Sequence, residues 1–154
     1  MPGVTAQVEQ LSEVTDEVVE AFGRLLPQLS RSARPLDKAA IATLAAAPGS
    51  TVLVARGDGG LITGMLTLVM FRIPTGLRAI IEDVVTDDAA RGQGVGTALT
   101  NEAIRIARAA GVKTIDLTSR PSRVAAGRLY EKLGFELRDT RVYRYLIDDG
   151  APRA

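Results

Sequence analysis

Apolar positions recur three or four residues apart in four stretches of the chain, which is the spacing of an amphipathic helix. These stretches are residues 14–29, 36–47, 95–110 and 122–133. Gly111 and Gly134 follow the last two stretches, where a glycine can end a helix in the left-handed conformation, and Ser122 is a suitable N-cap for the fourth. Four helices are therefore predicted.

Between the helices, the apolar residues are often β-branched and are interrupted by turn sequences, a pattern typical of strands. Strands are predicted at residues 4–10, 51–56, 61–71, 77–86, 113–118, 135–137 and 142–147. Short turns connect the strands between 51 and 86, so these should pair antiparallel, whereas the helix between 77–86 and 113–118 forces that pair to be parallel. The sequence predicts an α/β (α+β) fold with a mixed, mostly antiparallel sheet of six to seven strands flanked by four helices. One domain, 1–154, is expected, with a frayed tail at 148–154.

The charge balance narrows the possible partners. The 154 residues include 19 basic and 18 acidic side chains, so a net charge of +1 gives no overall field that attracts nucleic acid or an anionic membrane. Aromatic residues make up 4% of the chain, too few to form platforms on which nucleic-acid bases stack.

No apolar stretch approaches the roughly 18 residues of a membrane span, and no signal peptide is predicted. We expect a cytoplasmic protein with neither nucleic-acid nor membrane partners.

Cysteine and histidine are absent from the sequence. Their absence excludes disulfides, zinc sites built from these residues, and catalytic pairs such as Cys-His or Ser-His. Proton transfer then has to come from Asp, Glu, Tyr, Lys or water, and no metal site is expected. The pairs Asp87-Asp88 and Asp148-Asp149 lack the spacing of a calcium-binding loop, and we interpret them as solvated loop residues.

The segment between the predicted strand 77–86 and the helix at 95–110 contains three glycines in five residues, at positions 92, 94 and 96. Glycine permits a ligand to approach the backbone closely, and N–H groups at the start of a helix favour an anion. No acidic residue stands between Arg91 and Asn101, so the positive end of the helix is left for an external anion. Arg91 and the Thr97 hydroxyl would add to a pyrophosphate site. The alternative is a tight strand-to-helix turn in which the glycines are needed only for the backbone conformation.

The stretch Arg91-Gly-Gln-Gly-Val-Gly96 is similar to the Arg/Gln-x-x-Gly-x-Gly/Ala signature of the GCN5-related N-acetyltransferases (GNAT). Two further segments stand where that family has them, Ile81–Thr86 upstream and Ala126–Phe135 downstream. The resemblance covers residues 77–147, and the residues before it agree with the family only in their order of elements. It implies a GNAT-like sheet whose fourth and fifth strands splay apart around acetyl-CoA.

The resemblance also implies roles for individual residues. The pantetheine arm would pair with the backbone of two strand residues, and the pyrophosphate would meet the amides that follow. Acetyl-CoA would contact Val84, Val85, Arg91, Gly92, Gln93, Gly94, Val95, Gly96, Thr97, Ala126 and Tyr130. Tyr130 corresponds to the general acid that protonates the departing thiolate, with a core tyrosine as the alternative. Glu82 is the candidate base, and Asp83 is its rival. Arg123 stands where many relatives carry asparagine, so its role is left open.

The implied activity is the transfer of an acetyl group from acetyl-CoA to a primary amine of a small molecule or peptide, by direct attack in a ternary complex. A non-catalytic acyl-CoA-binding module with a regulatory role is the alternative. In the family, acceptor specificity usually lies in segments that correspond here to 29–35 and 73–76. A homodimer through the terminal strands is compatible with the sequence.

Overall fold

The structure, a computed structural model, describes residues 6–147. Four helices are present, α1 (Asp16–Leu29), α2 (Lys38–Ala46), α3 (Val95–Ala109) and α4 (Val124–Lys132). Five strands are present in these residues, β1 (Gln7–Gln10), β2 (Ser50–Arg56), β3 (Ile62–Ile73), β4 (Gly76–Thr86) and β5 (Thr114–Asp116). The predicted residues 4–5 of the first strand and the predicted tail 148–154 lie outside the described residues.

Side-chain caps fix where the first two helices begin. The Thr15 hydroxyl accepts a hydrogen bond from the Val18 amide at 3.3 Å, and α1 follows. Asp37 Oδ1 accepts from the Ala40 amide at 2.8 Å and caps α2 in the same way. The fourth helix differs from the prediction, because its N-cap is Arg123 rather than Ser122 and no side chain caps it.

The strands form one sheet in the order β1-β2-β3-β4-β5. The first three pairs are antiparallel, and β4 pairs with β5 in parallel through Arg78, Ala79 and Ile80. This confirms a mixed, mostly antiparallel sheet flanked by four helices. It also confirms the parallel pairing across α3.

The predicted strand count of six to seven is wrong, since the described residues form five strands. Residues 135–137 and 142–147 have the apolar spacing of strands, but neither segment forms a strand in the structure. The Phe135 amide instead donates to Tyr130 O at 2.9 Å and closes the end of α4.

Among residues 6–147, no helix has both the length and the apolar character needed to cross a membrane.

Each face of the sheet packs against different helices. On one face, Leu53, Leu66, Leu68 and Ile81 pack against the buried side of α3, which includes Leu99. On the other face, the buried side chains of α1 and α2 meet the sheet. Burial of each large aliphatic side chain stabilises the fold by about 1.5–3 kcal/mol relative to exposure. These two layers hold the end of β4 and the start of α3 in a fixed relationship.

Candidate active site

The turn between β4 and α3 has a backbone that favours glycine. Gly92 and Gly94 have φ angles of 78° and 79°, in the left-handed region that side-chain-bearing residues adopt at a cost. Gly94 is the N-cap of α3, it has no side chain to cap the helix, and the first helical turn contains no acidic residue. No atom from outside the adjacent residues would lie within 4 Å of a Cβ at either position, so the glycines also leave open space.

The amides of this turn are largely available to an anion. Gln93 is the exception, since its amide donates to Ala90 O at 3.3 Å. Within the described residues, no protein acceptor is bonded to the amides of positions 94–97. Amides at the first turn of a helix lack intrahelical acceptors and carry partial positive charge, so this turn can bind a phosphate group.

Two other glycines allow the start of α3 to pack closely. A Cβ on Gly96 would lie 3.2 Å from Leu129 Cδ1 of α4 and 3.8 Å from Thr86 Oγ1 at the end of β4. A Cβ on Gly64 of β3 would lie 2.6 Å from Val95 Cγ1, a distance that forces a shift. The glycine turn therefore lies where α3, α4 and the end of β4 meet.

A β-bulge interrupts β4 in the middle of the predicted site. Thr67 pairs with Glu82 and Met65 with Val85, so Leu66 alone faces two residues of β4. One of the two, Asp83, has a φ angle of 50°, which is positive for a residue other than glycine. Such strained positions cluster at functional sites.

The bulge also changes which β4 side chains share a face. Ile81 and Val84 both pack in the cluster around α3, whereas Val85 belongs to the cluster around α1. In a regular strand, Ile81 and Val85 would share a face. Simple alternation along the strand would also put Glu82 and Val84 on one face, and this does not hold here, because the extra residue shifts the alternation by one. Glu82 itself is exposed.

β4 and β5 part after a short ladder. Their pairing ends at Ile80 and Asp116, so within the described residues 82–86 pair with β3 alone. The backbone of Val84 and Val85 is consequently unpaired on the side of β5. A ligand with its own amide groups can bond there, since an open strand edge presents free donors and acceptors.

Tyr130 lies on α4 and is partly buried. Its ring meets that of Phe135 edge-on, with centroids 5.7 Å apart and planes at 65°. Burial raises the pKa of the Tyr130 phenol above its ordinary value, while the charge of Arg123 acts in the opposite direction. The phenol keeps its proton at neutral pH and can donate it. Ala126, one helical turn earlier, is likewise partly buried.

The Arg91 guanidinium is less available to an external anion than the sequence suggests. Its Nη2 lies 2.8 Å from Asp88 Oδ1, and its side chain is 75% exposed. An exposed ion pair of this kind contributes little stability, so a phosphate group can compete with Asp88 for the guanidinium.

Asp87 is a correction to the sequence interpretation, because it is buried at 8% exposure and is not a solvated loop residue. Its Oδ2 accepts from Arg24 Nη1 at 2.5 Å, and its Oδ1 lies 3.4 Å from Gln28 Nε2. The hydrogen bond from the Ala89 amide, with those from Arg24 and Gln28, lowers the pKa of Asp87 although burial opposes this. The carboxylate is charged and fully bonded.

Arg24 and Gln28 belong to α1 and were missed by sequence reasoning. Arg24 Nη2 also donates to Ile62 O at 2.9 Å, and Gln28 Oε1 accepts from the Asp88 amide at 2.8 Å. Both side chains thereby hold the turn that precedes the glycines. No local signal marks them, because their partners lie 38 to 63 positions away along the chain.

The hollow described next does not overlap this site. A hollow of about 500 Å³ between the β1–α1 loop and α2 contains none of the predicted site residues. Among residues 6–147, no group of three or more acidic side chains is arranged to hold a metal ion.

Known proteins resemble this chain in sequence and in fold. The Acetyltransferase (GNAT) family matches residues 13–135. A mycothiol acetyltransferase from Beutenbergia cavernae is 34% identical over 79 residues, which cover 51% of this chain and 25% of that enzyme, so the match spans about a quarter of the relative.

Two solved structures have the same fold. An acetyltransferase from Trypanosoma brucei is 28% identical, with a TM-score of 0.74, and covers 92% of this chain and 100% of its own. A protein described as a transcriptional regulator from Bacillus halodurans is also 28% identical, with a TM-score of 0.76 and the same coverage. Because the family match spans well over half of the chain, this protein belongs to the Acetyltransferase (GNAT) family.

Proposed function

We propose that this protein transfers the acetyl group of acetyl-CoA to a primary amine of a small molecule or peptide by direct attack in a ternary complex. The observation that carries the proposal is the continuity of two open surfaces. The unpaired backbone of β4 at Val84 and Val85 lies beside the uncapped start of α3, since a Cβ on Gly96 would lie 3.8 Å from Thr86 Oγ1 at the end of β4. A coenzyme with an extended, amide-containing arm that ends in a pyrophosphate fits this order of hydrogen-bonding groups.

Two groups at this site would divide the proton transfers of the reaction. The amine nitrogen bonds to the acetyl carbon while the carbon–sulfur bond breaks. Glu82, directly or through water, takes the proton that the amine loses, and Asp83 is the rival base. Tyr130 gives its proton to the departing sulfur, since burial keeps the phenol protonated.

The phosphate end would be held mainly by the backbone. The amides of Gly94 to Thr97 face the pyrophosphate, Arg91 leaves Asp88 to reach it, and Gly92 keeps the approach open. Ala126 would leave room for the arm beside Tyr130. In this proposal Gln93 contributes its side chain, since its amide is bonded to Ala90.

A second candidate is a non-catalytic module that binds acyl-CoA and regulates a partner. The similarity to a Bacillus halodurans protein described as a transcriptional regulator favours keeping it. The exposed Glu82 and the protonated Tyr130 favour the enzyme, since a module that only binds has no use for a proton acceptor and donor.

Thiol release separates the two candidates. The purified protein is incubated with acetyl-CoA and a panel of small amines, amino sugars and peptides, and free CoA thiol is measured with a chromogenic reagent. The chain has no cysteine, so the protein adds no background signal. Amine-dependent thiol release and an acetylated product support the enzyme. Tight CoA binding without turnover of any amine supports the module.

A further inference from the structure

The sheet face that packs against α1 and α2 is covered along only part of its length. Its covered part contains buried side chains such as Val52, Met65 and Val85. Nearer the turn between β3 and β4, three apolar side chains, which we call the apolar patch, are only partly buried: Val69, Phe71 and Ile80. They belong to neither of the two core clusters in the described residues. Because ligand sites are lined mostly by apolar and aromatic side chains with a few polar groups, the patch is a candidate surface for a ligand.

Strand register fixes the face on which the patch lies. Val69 pairs with Ile80, and the neighbouring pair, Leu68 and Ile81, packs against α3. Side chains alternate between the two faces of a strand. Val69 and Ile80 therefore point away from α3, and Phe71, two residues after Val69, points the same way.

Charged groups stand at both ends of the patch. Glu82 lies two residues after Ile80 on the same face, is exposed, and has no hydrogen-bond or ion-pair partner within the described residues. At the other end, Arg78 and Asp116 form an ion pair between β4 and β5, with 37% and 35% of their side chains exposed. That pair cancels its own charge, whereas the carboxylate of Glu82 is uncompensated. The patch thus favours one positive charge at the Glu82 end, roughly 13 Å along β4 from Arg78.

The patch also adjoins the proposed reaction centre. The ladder between β4 and β5 ends at Ile80 and Asp116, and the coenzyme arm is proposed to enter where these strands part. Tyr130 lies on the α3 side of the sheet, since its ring contacts Phe135, which packs against the α3 cluster. An amine on the patch would approach from the opposite face, where Glu82 lies. The proton acceptor and the proton donor would then stand on either side of the thioester.

We propose that the acceptor is a primary amine with an apolar alkyl or aryl-alkyl body and no second charge. This rests on the proposed function and narrows it. The ammonium group lies at Glu82, and the body lies on the apolar patch. A second charge on the acceptor would lie against apolar side chains or would have to break the pair of Arg78 and Asp116. The three patch residues are then specificity-determining residues.

The reaction of such an acceptor balances with the groups at the site. The ammonium releases one proton to solvent and becomes a free amine, whose nitrogen forms the amide bond as the carbon–sulfur bond breaks. The nitrogen loses a second proton to Glu82, and the departing sulfur takes the proton of Tyr130. The products are the acetylated amine and free CoA thiol, with one proton released overall.

Four amines that share a six-carbon chain test the proposal on the wild-type protein. Hexylamine, aminohexanol, aminohexanoate and diaminohexane carry the same terminal ammonium and differ only at the far end. We expect kcat/KM to be highest for hexylamine and about tenfold or more lower for aminohexanoate and diaminohexane, whose second charge would be desolvated on the patch. Aminohexanol should lie between them. Equal use of an amine with two charges, or a preference for an amino sugar or a basic peptide, overturns the proposal.

Two matched valine variants test the patch itself. Val69→Thr keeps the shape of the side chain and replaces one methyl group with a hydroxyl. It should raise KM for hexylamine about fivefold and leave KM for acetyl-CoA unchanged, because only the apolar contact is weakened. Val8→Thr makes the same substitution at a partly buried valine on β1 that packs against the α3 cluster, and it should change neither value. An unchanged KM for hexylamine in Val69→Thr, or an equal rise in Val8→Thr, contradicts the role of the patch.

Calorimetric titration of hexylamine into the CoA-saturated protein separates the acceptor class from the proposed function. Hexylamine binding that Val69→Thr weakens supports the patch even without turnover, and in that case acetyl transfer itself is refuted. Turnover of other amines without hexylamine binding overturns the patch and leaves the proposed function standing. Neither binding of hexylamine nor turnover of any amine overturns both.

Discussion

Arg24 Nη1 donates to Asp87 Oδ2 at 2.5 Å and joins the middle of α1 to the turn that leads into α3. The same guanidinium bonds Ile62 O, so it fixes α1, β3 and this turn relative to one another. Gln28 holds the adjacent Asp88 amide. The glycine turn begins four residues later, and its amides can face a phosphate only if the preceding turn is held in place. Arg24 and Asp87 are therefore positioning residues for the proposed coenzyme site.

Loss of this ion pair should weaken coenzyme use more than it slows the chemistry. We expect Asp87→Asn to raise KM for acetyl-CoA about tenfold with a smaller change in kcat, because the turn loses its anchor while Tyr130 and Glu82 stay. Asp58→Asn, at an exposed turn, is the control. A double-mutant cycle of Arg24→Met with Asp87→Asn should give a coupling energy of about 0.5–3 kcal/mol in unfolding. Additive effects, or an unchanged KM, would remove Arg24 and Asp87 from this role.

Asp87 should also make stability depend on pH in the acid range. Its pKa is lowered in the folded protein, so the unfolded chain binds its proton first as pH falls. The stabilisation is fully present above the unfolded value of about 3.9 and is lost as pH drops through the lower, folded value. Urea unfolding at several pH values should show the gap between wild type and Asp87→Asn closing below about pH 4. A gap that stays constant down to pH 2 contradicts this assignment.

Tyr130→Phe removes only the phenolic proton and keeps the ring beside Phe135. Because a thiolate is already a fair leaving group, we expect kcat to fall about ten- to a hundredfold, at or below the low end for acid catalysis. Affinity for CoA should not change. Tyr145→Phe, at an exposed tyrosine, is the control. Since burial raises the pKa of Tyr130 above its ordinary value of about 10, the wild-type rate should show no alkaline loss from this group below that pH. Unchanged turnover in Tyr130→Phe would exclude the acid role.

Glu82 and Asp83 can be separated because only one of them has an unusual backbone. Glu82→Gln should lower kcat at least tenfold and remove the acidic limb of the pH–rate profile if Glu82 is the base. Asp83→Asn keeps a residue type that tolerates a positive φ angle, so it tests the charge alone, and it should leave the profile unchanged. Asp83→Ala adds strain and should destabilise the fold by about 1 kcal/mol. The opposite result for the two isosteric variants would assign the base to Asp83.

The sequence predicted the elements whose signals are local. Hydrophobic spacing found α1 to α4, turn residues separated β2, β3 and β4, and the helix between β4 and β5 required their parallel pairing. The glycine turn was identified because positive φ angles favour glycine, and because a helix start without a capping side chain can be recognised from the residue types. Both properties depend on neighbours within a few positions.

The features that were missed depend on contacts far apart in the chain. The bulge at Asp83 follows from how β4 registers with β3, and nothing in the β4 sequence alone shows it. In the sequence Asp87 resembles an exposed loop residue, and its burial depends on the contact with the distant Arg24. Residues 142–147 have the spacing of a strand, but strand formation also depends on pairing with a distant segment, and none of the five strands in the described residues includes them.

The account depends most on phosphate binding at Gly94, and one titration tests it directly. Gly94→Ala and Gly111→Ala add the same methyl group at φ angles of 79° and 84°, with open space around each, at opposite ends of α3. Both should therefore lose similar stability, about 1–2 kcal/mol. Calorimetric titration with CoA should show wild-type affinity in Gly111→Ala and at least a tenfold loss in Gly94→Ala. Equal affinities in the two variants, or no heat from the wild-type protein, would contradict a coenzyme site at this turn.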